Sequence, residues 1–514
     1  MAETRTGNSI KNSGATIIGR IASMLIEFVL RTVLIRYLGI QYGGISTLFA
    51  DILQVLSLAE LGLGGAIIYA LYKPIAEKDY RKINALMHFY KNAYNAIAIA
   101  IFFMGLCCIP ILDKLVKDVP DVKEDIRLIF ILYVTASSCS YLVIYKETLI
   151  KASQMSRVVV LIENGVKIVF MVAESILLII FREYIIYLVL RIVSQLVTNV
   201  LISKEVNKRF PEIDFKCKDK LEKKDRQLLR KNIQAMALYK ISGVVLNGTD
   251  SIIISTFLGT GIVGVIGQYR MILNFVSNMV NNIWISVLPS VGNLAALDGE
   301  EKQYRIFNNL KFGSFVFSAI ITVGMFVLIN PLVGIWVGQE YTVSTATAAA
   351  IAFNMYLFLT ILPFQTFREA NGLFVQGKYR PVIMAAINVG LSLALVKPWG
   401  LFGVLFATPV SRLLTQTWFD PFVVYKHVFR KKPMQYYLEF IKHSVLTLSC
   451  SWASWQVYAF LDISNRFFGL IAGMAICVSI PVAIYIVLFH KQCIQLLSHV
   501  KTIVTQVSRH VFMR

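Results

Sequence analysis

Charged side chains recur inside long apolar stretches of this sequence, where an ionised group is costly. At the centre of a lipid bilayer a charge costs about 2.5–3.5 kcal/mol on insertion scales, so each one indicates a function or a partner. Several follow helical spacing and so share a helix face. These sets are Arg20, Glu27 and Arg31; Glu163, Lys167 and Glu174; Lys240, Asn247, Asp250 and Ser251; Arg270, Asn274 and Asn278; and Arg412, Gln416 and Asp420.

The basic members of these sets suit the binding of a strong anion. Arg20 and Lys240 have no acidic residue three or four positions away. We predict that these two unpaired cations face each other and hold a pyrophosphate, with Arg31 and Arg270 as further cations. Arg20 or Lys240 could instead extend to the lipid headgroups. Arg31 could instead form a neutral pair with Glu27, one helical turn away.

The elements that carry these residues are membrane helices, as the composition requires. The chain has 514 residues, of which 56% are hydrophobic and only 16% charged. Soluble domains carry about 25% charged residues, so a soluble enzyme is excluded. The net charge of +21 falls mostly in loops on one face, as the positive-inside rule predicts, and needs no nucleic-acid partner.

Apolar stretches of about 20 residues, each long enough to cross a bilayer, recur along the chain. We predict fourteen spans with both termini in the cytoplasm and no cleaved leader, the first span being the targeting element. The segment 491–514 is predicted to be a basic amphipathic helix on the membrane surface. The predicted spans are 10–38, 44–71, 84–112, 126–149, 157–181, 184–203, 233–258, 262–296, 306–333, 343–367, 380–397, 401–425, 438–460 and 467–490.

The two halves of the chain resemble each other at a nearly constant offset. Leu38-Gly39 aligns with Leu258-Gly259, and Pro110 aligns with Pro331. Two like halves predict a transporter that alternates access to a site between them. We predict an all-α membrane protein with six-helix lobes at 1–206 and 232–425, a basic cytoplasmic linker at 207–231 and an extra helix pair at 426–490.

One glycine pattern needs a separate explanation. Gly259, Gly261 and Gly264 fit G-x-G-x-x-G, but a dinucleotide fold needs an acidic residue about 20 positions later. The next acidic residue is Asp298. Gly39 stands at the position equivalent to Gly259, so we interpret both as tight turns between helices.

Three acidic residues and two amides complete the predicted site. Asp51, Glu60 and Asp250 are candidates for coupling transport to H+ or Na+, and Asn274 and Asn278 offer hydrogen bonds to sugars. We expect no cofactor, no metal site and no catalytic residue. The seven cysteines lack paired spacing, which favours buried thiols over disulfides or zinc ligands.

Three segments resemble the Wzx-type polysaccharide flippases of the multidrug/oligosaccharidyl-lipid/polysaccharide superfamily. They are SLAELGLGGAIIYALYKPIAEKD at 57–79, YKETLIKASQ at 145–154 and NGTDSIIISTFLG at 247–259. The resemblance implies a two-lobed fold like that of MATE transporters in a bacterial cytoplasmic membrane. It also implies a polyprenyl-pyrophosphate-linked oligosaccharide, moved from the inner to the outer leaflet for capsule, O-antigen or exopolysaccharide assembly, and an association with polymerase machinery.

Three alternatives to this function are open. A lipid II flippase of the same superfamily also fits fourteen spans. A drug or cation antiporter would need a net acidic cavity, which the cations disfavour. A membrane enzyme of the same pathway would need a large outer loop or a metal-binding D-x-D motif, and the sequence has no D-x-D.

Overall fold

The computed structural model describes most of the chain. The described residues are 5–60, 63–116, 122–153, 155–215, 221, 223–297, 299–373, 376–461, 463 and 465–495. For some helical residues, Arg20 among them, only the backbone is described. The predicted amphipathic tail therefore lies outside the described residues from 496 onward.

The described residues form helices joined by short connections, as the absence of water in a bilayer requires of a spanning backbone. Side-chain caps start several of them: Asp79 accepts from the amide of Lys82, and Asp125 from that of Arg127. The helices are α1 Arg5–Leu38, α2 Ile40–Leu56, α3 Leu63–Glu77, α4 Tyr80–Leu115, α5 Ile126–Tyr141, α6 Ile144–Ala152, α7 Ser156–Phe181, α8 Tyr184–Arg209, α9 Lys223–Leu258, α10 Thr260–Leu297, α11 Glu300–Trp336, α12 Thr345–Ala370, α13 Arg380–His427, α14 Met434–Leu461 and α15 Arg466–Leu488, with 3₁₀ turns at Ser57–Glu60 and Gln339–Tyr341.

Within the described ranges, eight helical segments are long and apolar enough to cross a membrane, and a ninth arises if the bent pair α5–α6 is one span. The bend between α5 and α6 is 41°. The 48-residue α13 covers two of the predicted spans. Between them, Gly400 interrupts the helical backbone with φ 56° and ψ −134°. These segments make the chain a multi-pass membrane protein, and the total of fourteen spans stays a prediction.

The chain forms two compact units, residues 1–267 and 268–514. The core of the first is built on α3, α4 and α6, around the fully buried Ile67, Tyr90 and Leu149. The predicted lobe and linker boundaries stay predictions.

The core of the second unit is an aromatic cluster. Phe307 of α11 packs edge-on against Phe364 and Phe367 of α12, with ring centroids 5.1 and 5.0 Å apart. Such edge-to-face pairs add to the free energy gained from burial. Within the same unit, Lys311 joins α11 to α14 through the carboxylate of Glu439 at 2.5 Å.

Gly39 and Gly259 have the same backbone conformation. Each separates two helices and has φ of 102°, a value that side-chain-bearing residues rarely adopt. The interpretation of these glycines as turns between helices is confirmed, and the structure places the G-x-G-x-x-G pattern at the start of α10 rather than at a strand.

The helices that follow these two turns cross with their backbones in contact. A Cβ atom on Gly44 would overlap the carbonyl oxygen of Thr260 and lie 3.1 Å from the amide nitrogen of Gly264. A Cβ atom on Gly264 would lie 2.6 Å from the carbonyl oxygen of Ile40 and 3.0 Å from the amide nitrogen of Gly44. The contact is reciprocal, and both helix starts require glycine there.

Gly44→Ala is expected to destabilise the protein, because its methyl group has no space against the backbone of α10. Overpacking of this kind costs about 1–3 kcal/mol, which thermal unfolding in detergent would detect as a lower melting temperature. Gly261→Ala is the matched control, since a Cβ atom there meets nothing within 4 Å. Equal melting temperatures for the two variants would contradict the crossing described here.

Candidate functional site

Glu60 is the centre of a polar cluster in the first unit. It ends the 3₁₀ turn after α2, and its two carboxylate oxygens have different partners. One accepts a hydrogen bond from the hydroxyl of Tyr94 on α4, and the other forms an ion pair with the ammonium group of Lys240 on α9. The cluster therefore joins three helical segments that are distant in sequence.

Two tyrosines one helical turn apart position this carboxylate. Tyr90 and Tyr94 are fully buried, and their rings meet edge to face at 4.6 Å. The hydroxyl of Tyr90 lies 3.1 Å from that of Thr148 on α6. Gly64 leaves room for the cluster, because a Cβ atom there would lie 3.2 Å from the hydroxyl oxygen of Tyr94 and 3.3 Å from Oε1 of Glu60.

The expectation that Lys240 is unpaired is wrong. Its partner Glu60 lies 180 positions earlier in the sequence, so examining the residues three or four positions from Lys240 could not identify it. Both side chains are partly exposed, at 25% for Lys240 and 19% for Glu60. The side chain of Arg20 lies outside the described residues, so its predicted position opposite Lys240 stays a prediction.

Arg31 is bound to the helix that follows it. Its guanidinium donates to the hydroxyl of Ser46 at 2.7 Å, the carbonyl of Gly43 at 3.0 Å and the hydroxyl of Thr47 at 3.2 Å. A Cβ atom on Gly267 would lie 2.9 Å from this guanidinium. These contacts hold α1 against α2, and a role for Arg31 in substrate binding stays a prediction.

Glu27, the possible local partner of Arg31, reaches across to α7. Its carboxylate lies 3.2 Å from the ammonium group of Lys167, and about half of each side chain is exposed. An exposed pair of this kind contributes little to stability, about 0–1 kcal/mol. The pair nevertheless shows that an acidic residue on α1 contacts a basic residue on another helix.

Asp51 and Asp250 lie on α2 and α9, which pack together in the first unit. Asp250 is buried, with 7% of its surface exposed, and Asp51 is half-buried. Gly248 marks the close approach of the two helices, because a Cβ atom there would lie 3.3 Å from the carbonyl oxygen of Asp51. The predicted role of both carboxylates in ion coupling stays a prediction.

The remaining predicted residues lie on α10 in the second unit. Arg270 is half-buried, whereas Asn274 and Asn278 are exposed at successive turns of the helix. Exposed amides can donate and accept hydrogen bonds, as a sugar ligand requires. Of the predicted site residues, the structure thus joins Lys240 to Glu60 directly.

The cluster around Glu60 has chemistry suited to a switch. A carboxylate that neutralises a lysine keeps that lysine unavailable to other anions, and protonation of the carboxylate would release it. Sequence reasoning missed Tyr90, Tyr94 and Thr148 in this cluster. The i,i+4 spacing of the two tyrosines was the available signal, but it is equally typical of a packed helix face.

The described part of the chain contains neither a cluster of metal ligands nor a disulfide. His, Cys, Asp and Glu side chains there form no group that could hold a metal ion. Cys107, Cys108, Cys139, Cys450, Cys477 and Cys493 are free thiols.

The fold is similar to that of several solved membrane proteins. The chain is similar to the lipid II flippase MurJ in its inward closed conformation, at TM-score 0.69 and 15% identity over 94% of this chain and 99% of that one. It is similar to an inward-facing multidrug resistance MATE family transporter at TM-score 0.61 and 12% identity, over 76% of this chain and 91% of the other. The Vibrio cholerae MATE transporter VcmN matches at TM-score 0.56 and 11% identity, over 82% and 98%.

Comparison with protein-family models identifies the family, whereas the structural similarities show the fold alone. The family described as "Polysaccharide biosynthesis protein" matches residues 9–294, and the chain belongs to this family. This range includes the Glu60 cluster and most of α10. A comparison with curated protein sequences finds no match.

The Glu60–Lys240 pair is expected to show in a double-mutant cycle. Lys240→Met leaves a partly buried carboxylate without its cation and should cost about 1–3 kcal/mol, measured by thermal unfolding in detergent. Adding Glu60→Gln should recover much of this loss. Lys73→Met is the control, since Lys73 and Glu77 form a largely exposed pair. Additive effects of the two substitutions at Glu60 and Lys240 would contradict a direct interaction.

Proposed function

We propose that this protein is a flippase for a polyprenyl-pyrophosphate-linked oligosaccharide and has no catalytic chemistry of its own. The observation that carries the proposal is membership of the polysaccharide biosynthesis family, shown by the match over residues 9–294. The lipid-linked unit would move from the inner to the outer leaflet of a bacterial cytoplasmic membrane by alternating access, for capsule, O-antigen or exopolysaccharide assembly. Both termini would face the cytoplasm.

The negative charge of the substrate has a matching group in the first unit. A pyrophosphate carries a higher charge than a carboxylate and accepts several hydrogen bonds, so it can compete with Glu60 for the ammonium group of Lys240. In the arrangement described here Glu60 holds this lysine. We infer that substrate binding exchanges one anion for another on Lys240, with Arg20, Arg31 and Arg270 as further cations.

The same exchange suggests a coupling route. A proton or Na+ taken up by Glu60 would neutralise the carboxylate and release Lys240 to the substrate. Asp51 and Asp250, on the neighbouring crossing of α2 and α9, are further candidates for the ion. Asn274 and Asn278 would contact the sugars, and polymerase machinery would receive the product.

A lipid II flippase is the second candidate, and its support is the fold likeness to MurJ over 94% of this chain. Its substrate shares the polyprenyl pyrophosphate, so the charge argument above applies equally. The likeness to MATE transporters supports the drug or cation antiporter. This alternative has less support, because basic side chains such as Lys240, Arg31 and Arg270 would repel a cationic substrate.

The test is a side-specific flipping assay in proteoliposomes. A polyprenyl-pyrophosphate oligosaccharide is incorporated, and its exposure in the far leaflet is read with an impermeant sugar-modifying reagent, with and without an ion gradient. Wild-type protein should expose the lipid, and Lys240→Met should reduce the initial rate about tenfold or more, by analogy with a lost charge-assisted contact. Lys73→Met is the control.

The Glu60→Gln variant distinguishes movement of the lipid from its coupling to the ion gradient. This variant should still flip the lipid but lose the effect of the ion gradient, because its side chain no longer titrates. Flipping of lipid II alone would favour the second candidate. Absence of flipping for every glycolipid, together with drug export by the same preparation, would overturn the proposal in favour of the antiporter.

A further inference from the structure

Three oxygen atoms of the cluster around Glu60 converge on the backbone of Gly64. A Cβ atom added to this glycine would lie 3.3 Å from Oε1 of Glu60. It would also lie 3.2 and 3.4 Å from the hydroxyl oxygens of Tyr94 and Tyr90. The hydroxyl of Tyr94 donates to Glu60, and the hydroxyls of Tyr94 and Tyr90 are hydrogen-bonded to each other. The carboxylate and the two hydroxyls therefore form one continuous chain of hydrogen bonds.

The direction of this chain follows from the number of protons that it holds. A tyrosine hydroxyl carries one proton and can also accept a hydrogen bond. Tyr94 gives its proton to Glu60, so its oxygen accepts from Tyr90. Tyr90 has then used its own proton, so its oxygen accepts from the hydroxyl of Thr148, 3.1 Å away on α6. All three hydroxyls thus donate in one direction, toward Glu60.

The far end of the chain lies beside a second carboxylate. Glu147 precedes Thr148 in α6 and forms an ion pair with Lys151, one helical turn later. Its charge acts on the hydroxyl of Tyr90, as does the charge of Glu60. The side chain of Glu147 is 18% exposed and that of Lys151 is 39% exposed, whereas the hydroxyl chain is buried. Water can therefore reach Glu147 but not the hydroxyls between the two carboxylates.

The carboxylate of Glu60 has different surroundings on its two sides. One oxygen faces Lys240, where both side chains are partly exposed, and the other faces the buried hydroxyl of Tyr94. Tyr94 and Tyr90 lie about 21 and 15 Å into α4, so the chain runs toward the start of that helix. Thr148 lies about 6 Å before the end of α6. Glu60 can thus exchange a proton on its partly exposed side and, through the chain, at a separate place.

We propose that the hydroxyls of Tyr94, Tyr90 and Thr148 form a proton relay between Glu147 and Glu60, as chains of polar side chains do in membrane transporters. The O–H bond of a protonated Glu147 breaks and an O–H bond forms at Glu60, while each hydroxyl gives up one proton and receives another. Transfer from Glu147 to Thr148 requires a rotation of one of these adjacent side chains. The relay rests on the proposed function, in which Glu60 takes up the coupling ion. It identifies that ion as a proton, because buried hydroxyls leave no route for Na+.

The experiment adds an imposed pH gradient to the flipping assay with the full-length protein in proteoliposomes. Tyr90→Phe keeps the aromatic ring and removes the hydroxyl in the middle of the chain. Tyr141→Phe is the matched control, because Tyr141 is a buried tyrosine of the same core whose hydroxyl bonds to Ser57. Tyr90→Phe should reduce the stimulation of flipping by the pH gradient about tenfold or more, and Tyr141→Phe less than about twofold.

Two substitutions of Thr148 distinguish the role of its hydroxyl from that of its shape. Valine matches threonine in shape but has no hydroxyl, whereas serine keeps the hydroxyl and loses the methyl group. Thr148→Val should lose the response of flipping to the pH gradient, and Thr148→Ser should keep it. An equal response in the two variants overturns the relay.

Proton movement is measured separately from lipid movement. A pH-sensitive dye sealed in the same vesicles reports proton uptake under the imposed gradient, with protein-free vesicles as the baseline. Proton uptake that requires the Tyr90 hydroxyl, in vesicles that flip no oligosaccharide lipid, would keep the relay and reject the proposed function. Wild-type and Tyr90→Phe proteins that respond equally to the gradient, in both flipping and proton uptake, would overturn the relay and leave the flippase.

Discussion

The high cost of an isolated charge in a bilayer is the constraint on which much of this structure depends. The chain meets it with contacts between distant helices: Glu60 with Lys240, Glu27 with Lys167, and Lys311 with Glu439. The two less exposed pairs, Glu60 with Lys240 and Lys311 with Glu439, fix the position of one helix against another, because removing one group leaves the other charge without its partner. The ion pairs that neutralise these charges therefore also determine how the helices pack. The helices are set by apolar length, but their arrangement within each unit is also set by which charges must meet.

The sequence was a good guide to the elements and a poor guide to their partners. Apolar length predicted the helices because a spanning backbone must satisfy its own hydrogen bonds. The equivalence of Gly39 and Gly259 predicted a shared turn, and both have φ of 102°. The partner of Lys240 could not be predicted, because it lies 180 positions away and only tertiary structure brings it near. Ion pairs within one helical turn can be predicted from sequence spacing, whereas ion pairs between helices cannot.

Two details of the helices show the same limit. The 41° bend between α5 and α6 falls inside the predicted span 126–149, and apolar length alone carries no information about such a bend. The break at Gly400 agrees with the predicted spans 380–397 and 401–425, because two helices meet in a kink at that residue. Proline and glycine positions indicate where a helix can bend, but the angle depends on the packing of its neighbours.

The reciprocal crossing of Gly44 and Gly264 differs in kind from the ionic contacts. It joins backbone to backbone, has no rotamer to change and contains no group that titrates. Its contacts do not depend on charge, whereas the contact between Glu60 and Lys240 depends on the charge of both groups. The crossing therefore holds α2 and α10 together whatever the charge state of the first unit.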